Sequence, residues 1–389
     1  MKDKHKTPRV LLATGIFHPD VGGPAIHVRH IAEHFASLGW GVTVLAFGDA
    51  FWGGEPYRVM RVSRKLPKLL SWALYALHAL RETLRHDIVY AFDLTTAGVP
   101  AACFARLFRK PFLLRIGGDP IWERVVEKGK RFIPMRSYYE QGLYRSDKPA
   151  LFRVIRFVVR SASRVVTYCD FLRDTYIRYY GVLENEVTLV PNPFPERRES
   201  EREQGTFTFL FAGRFVSYKN LSRLLRAFSG IAPAHPEARL VLIGDGPEEV
   251  ALRALAAPLG NAVSLKPKVG QEVLFAAIAH ASVALAPAIT EFNPNFILEA
   301  LALGKPALIS RDNGLSAPLP DAWQFDPLDD DSLTEAMERM LDPTRYEEAC
   351  VAVRKLPMEG TWETVVRAHE RAAQEALSER ATQSARGGL

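Results

Sequence analysis

Two glutamates, Glu291 and Glu299, stand with seven residues between them in Glu291-Phe-Asn-Pro-Asn-Phe-Ile-Leu-Glu299. They follow the apolar run Val283 to Ala286 and Pro287. That order puts Glu291 in a loop at a strand end and Glu299 within the next helix. Backbone N–H groups and the helix dipole favour an anion at such a place. Carboxylates there can accept hydrogen bonds from the hydroxyls of a sugar. The plainer alternative, a loop charge and a solvated helix residue, stays open from spacing alone, because acidic pairs are common on surfaces. A second stretch, Phe209-Leu-Phe-Ala-Gly-Arg-Phe-Val-Ser-Tyr-Lys-Asn220, sends Arg214 and Lys219 off another strand end just before a helix. A forked guanidinium, a point-charge ammonium and helix N–H groups together suit a diphosphate. Two ordinary loop cations are the alternative. A third stretch, Ile243-Gly-Asp-Gly-Pro247, begins like a dinucleotide fingerprint, but Glu249 stands where the third glycine belongs. Hydride transfer by a nicotinamide oxidoreductase is therefore a weak reading, and a tight turn before a helix accounts for the glycines.

These residues need elements to carry them. In the first half, short apolar runs at Arg9–Thr14, Val42–Phe47, Tyr57–Val62, Asp87–Ala91, Pro111–Ile116, Arg164–Tyr168 and Val187–Val190 read as buried strands, with helical patterns between most of them. Val28, Ile31, Phe35 and Leu38 form one face of a helix that Gly39 ends. Residues 195–206 hold no apolar side chain after the proline and read as a solvated linker. The pattern restarts with strands at Phe207–Ala212, Leu240–Ile243, Val263–Leu265, Val283–Ala286 and Ala307–Ser310. After about residue 328 the chain reads as helical, with Trp362, Val365, Val366 and Ala373 available to pack and a disordered tail over 381–389. Strand-helix alternation of this kind predicts two α/β domains with parallel sheets covered on both faces. Ligands of such sheets bind at the carboxyl ends of the strands. A cleft between two such sheets is the default site.

Composition narrows the class. Of 389 residues, 48% are hydrophobic and 24% charged, enough to bury real cores and too apolar for a disordered chain. The length exceeds what one compact core organises. Three scattered cysteines, Cys103, Cys169 and Cys350, exclude a disulfide framework and a four-cysteine zinc site, and fit a reducing cytosol. Val10 to Phe17 reads as a strand and not as the core of a signal peptide. Leu69 to Leu80, interrupted by His78, is too short to span a bilayer. The net charge of +6 is uneven: residues 1–195 carry +12 and residues 196–389 carry −6.

Taken in order, Phe17-His-Pro-Asp-Val-Gly-Gly23, Ala212-Gly-Arg-Phe-Val-Ser-Tyr-Lys219, Gly244-Asp-Gly-Pro247, Glu291-x7-Glu299 and Gly304-Lys-Pro306 resemble the family 4 retaining glycosyltransferases of GT-B fold. Val190-Pro-Asn-Pro193 sits where that family ends its first domain, and Trp362 opens a helix like its terminal one. The resemblance covers nearly the whole chain. It implies two Rossmann-like domains facing each other across a cleft: an acceptor-binding domain over 1–195, a nucleotide-sugar domain over 206–358, and a helix over 359–380 packing back on the first. It implies that Arg214 and Lys219 bind the donor diphosphate and stabilise the charge growing on it as the glycosidic bond breaks. Glu299 would hold the ribose hydroxyls, and Glu291 would contact the transferred sugar as part of the catalytic set. Gly22 and Gly23 would let backbone approach the donor phosphate or the acceptor. Gly244, Lys268, Asn295 and Phe296 complete the implied donor site, with the base read by backbone near Lys266 to Val269. The nucleotide sugar is a substrate; no cofactor and no metal are implied. Transfer would retain anomeric configuration by front-face attack, the leaving phosphate helping to take the proton.

Some residues depart from that pattern. The family often has a histidine after the strand matching Pro111–Ile116; here the sequence is Arg115-Ile-Gly-Gly-Asp-Pro-Ile-Trp-Glu123, so Asp119 or Arg115 is the candidate for the acceptor or sugar side. The loop after Glu291, usually glycine-rich, is Phe292-Asn-Pro-Asn-Phe296. These departures keep a second reading open, a catalytically silent GT-B-like protein that binds a sugar nucleotide or a partner. His27, His30 and His34 share one side of the first helix, and the last two have metal-ligand spacing, but only Glu33 stands near them. Asp329-Asp-Asp331 reads as a helix cap. On the donor reading, Lys219→Ala or Glu299→Ala folds normally and loses most turnover. The basic excess falls in the acceptor half, with Arg58, Arg61, Arg64, Lys65 and Lys68 leading into Leu69–Leu80. Basic residues beside an apolar stretch suit an anionic lipid surface, and no groove-reading motif favours nucleic acid. The expectation is a glycan or lipid-linked acceptor and a cytoplasmic protein peripheral at the inner face of the membrane; a generic solvated basic surface is the alternative.

Overall fold

A computed structural model describes residues 7–20, 22–49, 53–198 and 205–386. Residues 199–204, half of the linker expected over 195–206, and 387–389 of the tail expected over 381–389 lie outside the described residues; 381–386, expected to be disordered, continue the last helix. In chain order the first half runs β1 (Arg9–Ala13), α1 (Gly23–Ser37), β2 (Gly41–Phe47), β3 (Arg58–Val62), α2 (Lys68–Arg85), β4 (Ile88–Ala91), α3 (Gly98–Leu107), β5 (Phe112–Arg115), α4 (Pro120–Glu127), α5 (Met135–Glu140), α6 (Tyr144–Asp147), α7 (Pro149–Arg160), β6 (Arg164–Thr167), α8 (Asp170–Thr175) and β7 (Val187–Leu189). The second half runs β8 (Phe207–Ala212), α9 (Leu221–Ile231), β9 (Ala238–Ile243), α10 (Glu249–Ala256), β10 (Val263–Lys266), α11 (Gln271–His280), β11 (Val283–Ala286), α12 (Asn295–Ala302), β12 (Ala307–Ser310), β13 (Gln324–Phe325), α13 (Asp330–Leu341), α14 (Pro343–Lys355) and α15 (Trp362–Arg386). The fold is α/β, with two parallel-sheet Rossmann-like domains.

The first sheet has the order β3-β2-β1-β4-β5-β6-β7 and the second β10-β9-β8-β11-β12-β13. Every pairing is parallel; Val10, for example, sits between Val42 and Ile88. Parallel strands are covered on both faces, which is why these read as continuous runs of Val, Leu, Ile, Phe and Ala. Val10 to Ala13 are fully buried, as are Ile88 to Ala91. In each sheet the strand order reverses once, between β1 and β4 and between β8 and β11. Loops leaving adjacent strands in opposite directions open a crevice at that point, and ligands of open α/β sheets bind there.

The chain divides into two compact units: Met1–Pro120 with Lys148–Pro191 and Trp362–Leu389, and Ile121–Asp147 with Asn192–Thr361. Residues 121–147 leave the first sheet after β5 and join the second unit, a departure from a continuous domain over 1–195. The cause is packing. Trp122, with no exposed surface, places its ring 5.6 Å from that of Tyr218 and 6.1 Å from that of Phe292. The Met135 N–H donates to Thr290 Oγ1 at 2.9 Å.

Unit 1 keeps α15, which packs on α1, β5 and β6. Val365, Val366, Ala372, Ala373 and Ala376 of α15 join the core of α1 and the first strands. The three histidines of α1 are spent on this seam. The His30 ring stacks 3.9 Å from that of Trp362, the His27 ring meets it edge-on at 4.9 Å, and His34 Nε2 lies 2.8 Å from Glu370 Oε2. His369 of α15 is fully buried, with Nδ1 2.6 Å from the Tyr90 hydroxyl; burial, and the nearby Arg115 charge, hold it well below the usual imidazole range. Among the described residues no group of three or more His, Cys, Asp or Glu is placed to hold a metal ion. Asp329 Oδ1 accepts the Asp331 N–H at 3.0 Å and caps α13. Among the described residues no helix is long and apolar enough to cross a membrane.

Candidate active site

Three charged residues of unit 2 lie where its strand order reverses. β8 and β11 are neighbours, with Val283 opposite Phe209. The loop after β8 carries Arg214 and Lys219; the loop after β11 carries Glu291. Adjacent strand ends bring the loops together although the residues are 72 positions apart: Lys219 Nζ donates to Glu291 Oε1 at 2.7 Å. Glu291 is 4% exposed, so the ammonium neutralises a carboxylate that burial would otherwise penalise heavily. An ammonium has three N–H donors, and one bond to Glu291 leaves donors for an anionic ligand.

Each partner is held from behind. Lys219 closes a short 3-10 turn, Ser217–Lys219, and Asn220 takes a left-handed conformation at φ +60° before α9. Asn220 Nδ2 donates to the Pro327 carbonyl at 2.9 Å, which fixes that bend. The Glu291 N–H donates to the Asp312 carbonyl at 2.9 Å, and the Gly314 N–H donates to the Glu291 carbonyl at 2.8 Å. The Thr290 hydroxyl donates to Asp312 Oδ2 and accepts from Met135 N–H, while Arg136 pairs with Asp312 Oδ1 at 3.6 Å. Burial raises the Asp312 carboxyl, with Thr290 and Arg136 opposing. Trp122 lies between Tyr218 and Phe292, which directly flank Lys219 and Glu291. The Tyr218 hydroxyl is raised by burial and by the charges of Glu123 and Glu291, with Arg214 opposing.

Arg214 is exposed at the start of its loop. The Gly244-Asp-Gly246 turn after β9 braces it. The Phe215 N–H donates to the Asp245 carbonyl at 2.6 Å and the Glu248 N–H to the Phe215 carbonyl at 3.1 Å. A Cβ on Gly244 would stand 1.9 Å from the Gly213 carbonyl oxygen, and one on Gly246 2.3 Å from that of Phe215. These glycines let two loops touch, and through them the position of Arg214 is set.

Glu299 lies on α12, half-buried, and Gln271 Nε2 donates to its Oε1 at 3.1 Å. Burial pushes its carboxyl up to about 7, with the Gln271 bond pulling the other way. Gln271 opens α11, directly after the segment holding the exposed Lys268. Asn295 opens α12 and its Oδ1 accepts from Asn192 Nδ2 at 2.8 Å; the same amide donates to the Asn293 carbonyl at 3.1 Å. Phe296 points its ring into the core against Phe211, so only its backbone is left for a ligand. Asn293 sits at φ +153°, rarely adopted by residues with a Cβ. Its Oδ1 accepts from the Ser316 N–H at 3.3 Å, and its buried Nδ2 has no partner among the described residues.

Residues 194–352 match the family Glycosyl transferases group 1, and residues 22–193 match the Glycosyl transferase 4-like domain. A D-inositol 3-phosphate glycosyltransferase of Pseudarthrobacter chlorophenolicus is 33% identical, with 76% of each chain covered. The chain belongs to the family 4 GT-B glycosyltransferases. An uncharacterised glycosyltransferase of Methanocaldococcus jannaschii is 24% identical over 85% of this chain and 88% of that one. The solved sucrose-phosphate synthase from Thermosynechococcus elongatus superposes with a TM-score of 0.71 at 16% identity, covering 96% of this chain and all of that one, which speaks for the fold.

Unit 1 treats its candidates differently. Arg115, the last residue of β5, is buried with its guanidinium 5.3 Å from the ring of Tyr168, and burial lowers its pKa. Asp119 has no exposed surface and accepts from the Tyr180 hydroxyl at 3.3 Å. The Tyr168 and Tyr176 hydroxyls donate to the Gly117 and Gly118 carbonyls at 2.7 and 3.1 Å. The stretch that replaces the family histidine is thus pinned by three tyrosines, and its Arg115 and Asp119 side chains face protein. Gly22 caps α1 through its carbonyl, which accepts the Ile26 N–H at 3.3 Å, and Gly23 begins the helix. Both lie on the loop leaving β1 at the reversal point of that sheet.

Residues missed in the sequence are those that support the charges: Trp122, Gln271, Thr290 and Asp312. Only Gln271 carried a signal, as a polar residue at the start of the helix following the loop assigned to the base.

Proposed function

We propose that this glycosyltransferase moves a sugar from a nucleotide-sugar donor to a glycan or lipid-linked acceptor, with retention and without a metal. The observation that carries the reading is the Lys219–Glu291 contact at the reversal point of the unit 2 sheet, with Arg214 braced on the same loop. Arg214 and the remaining Lys219 donors would hold the diphosphate. These fixed positive charges stabilise the negative charge that grows on the leaving phosphate. Glu291, oriented by Lys219, would accept from a hydroxyl of the transferred sugar. Glu299, when ionised, would accept both ribose hydroxyls. In the step, the bond from the anomeric carbon to the diphosphate oxygen breaks and the acceptor oxygen joins that carbon from the same side. The acceptor proton passes to the leaving phosphate oxygen, so no protein base is required.

The burial of Arg115 and Asp119 favours one competing reading, a silent sugar-nucleotide binder, because neither can reach a ligand as a catalytic side chain. Release of nucleoside diphosphate from a panel of nucleotide sugars by the purified protein decides between them. The panel is first narrowed by thermal shift, since a ligand selective for the folded state raises the melting temperature. Binding without release across many acceptors would sink the enzyme reading. Arg214→Ala leaving release unchanged would sink the site assignment.

A further inference from the structure

We infer that one face of unit 1, built by α2, α3 and α7, docks on an anionic phospholipid bilayer. The three helices form one layer, α3 touching both α2 and α7. Their crossovers all advance in the same direction across the sheet, which right-handed connections place on one side, while α1 runs the other way and shares its side with α15.

The layer is unusual in two respects. Its exposed charged side chains are all Lys or Arg: Lys68, Arg81 and Arg85 on α2, Arg106 on α3 and three arginines on α7. The single carboxylate of the three helices, Glu82, is buried and paired with Arg58 and Arg85. Large apolar side chains stand among these cations. Leu69 is 79% exposed and Leu107 65%, with Leu77, Leu84 and Phe157 also outward. The opposite face is mixed in sign, since α15 carries Glu363, Glu370, Glu375 and Glu379 between its arginines. The charge is therefore a property of one face and not of a generally basic domain.

Cations interleaved with aliphatic side chains fit the phosphate and acyl layers of a membrane surface together. A second copy would set cation against cation, and exposed leucines give nothing to a nucleic acid backbone. A hollow of about 400 Å³ opens at the start of α2, lined by Gly15, Phe47, Arg64, Lys68, Trp72 and Thr96. It lies at the carboxyl ends of β1, β2 and β4, and Lys68 Nζ stands 5.0 Å from the centre of the Trp72 ring. An acceptor with a phosphate head in that hollow would have its tail beside Leu69. This deepens the acceptor part of the function proposed above and rests on it for what the acceptor is; the docking itself does not.

The test is flotation of the full chain with vesicles of phosphatidylcholine, with and without phosphatidylglycerol, in low salt and with no nucleotide sugar present. Binding is expected only with phosphatidylglycerol. Arg153→Gln/Arg156→Gln/Arg160→Gln should weaken it about a hundredfold, on the usual worth of a surface arginine near anionic lipid. Leu69→Ser/Leu77→Ser should weaken it about tenfold or more through lost apolar contact. Arg371→Gln, on the exposed side of α15, should change little. Nucleotide-sugar binding, measured on the same preparations by calorimetry, should be unchanged in all, so failure to dock and failure of the donor reading are separate results. No flotation of the unaltered chain, equal flotation of the variants, or displacement of vesicles by duplex DNA or RNA would overturn the proposal.

Discussion

At the carboxyl end of the unit 2 sheet, charged side chains meet one another. At the carboxyl end of β5 in the unit 1 sheet they are taken up by packing. Lys219 and Glu291 pair directly, Arg214 stands exposed on the Lys219 loop, and Glu299 is half-buried against one amide. Arg115 and Asp119 lie against tyrosines with almost no exposed surface. The difference shows that a charged residue after a strand is available to a ligand only when its neighbours leave its polar atoms uncovered. Unit 2 does this by bracing loops from outside, with Trp122 and the Gly244–Gly246 turn. Unit 1 fills the space after β5, one strand beyond its reversal point, with Tyr168, Tyr176 and Tyr180.

The largest effect that could break this contrast is on stability. Lys219→Ala leaves the buried Glu291 carboxylate uncompensated, and a broken buried pair costs about 3–5 kcal/mol. The expectation that this variant folds normally is therefore revised, and its loss of turnover alone says little. Lys219→Met with Glu291→Gln removes both charges and should recover much of the stability in urea unfolding, while donor turnover stays lost. Recovery of turnover in the double variant would show that the pair is structural and the site lies elsewhere.

Arg214→Ala is the cleaner probe. Its side chain is exposed, so the melting temperature should hold, while turnover should fall about a hundredfold or more, as when one group stabilising a developing oxyanion is removed. A matched loss of stability would mean that Arg214, like Arg115, belongs to packing.

How far the sequence reaches follows the same division. Strands such as Val283–Ala286 and Phe207–Ala212 were legible to the residue, because four to six apolar residues between turn signals have few other uses. β13, only Gln324–Phe325, has no such run and was not legible. The paired loops were visible as strand-end charges, but their contact depends on β8 and β11 being neighbours, which is topology and not pattern. The excursion over 121–147 looks like any helical stretch following a strand; nothing local tells Trp122 that its partners are Tyr218 and Phe292. The α1 histidines show helical spacing, while Trp362 and Glu370, which explain them, come more than three hundred positions later.

A smaller effect sharpens the unit 2 side. With its carboxyl raised to about 7, Glu299 is mostly protonated at pH 6 and mostly ionised at pH 8. If only the ionised form accepts both ribose hydroxyls, affinity for a nucleotide sugar should rise about tenfold over that range, about 1.4 kcal/mol. A nucleotide sugar is the right ligand, because its diphosphate is esterified at both ends and does not titrate near neutrality. Glu299→Gln should flatten the profile. The linked effect on stability has the opposite sign: a carboxyl raised above its unfolded value holds protons that the unfolded chain has released, so its contribution falls as pH rises toward and through 7. Melting temperature and affinity should thus move in opposite directions across the same window, a pairing that a general loosening of the fold would not produce.

The smallest effect belongs to unit 1. Tyr180→Phe removes one donor to Asp119, a bond of 3.3 Å inside a packed cluster of tyrosines. A neutral donor lost to a buried carboxylate costs about 1–3 kcal/mol, and the length of this bond argues for the low end, near 1. Calorimetry should find nucleotide-sugar affinity unchanged, since Asp119 is fully buried and Tyr168 and Tyr176 still hold the loop at Gly117 and Gly118. A drop in affinity or in the choice among donors, with stability intact, would mean that the loop standing in for the family histidine still reads the sugar. In that case the burial of Asp119 would be a means of aiming the Gly117–Gly118 backbone, and the contrast between the two sheet ends would narrow to one between side-chain and main-chain contacts.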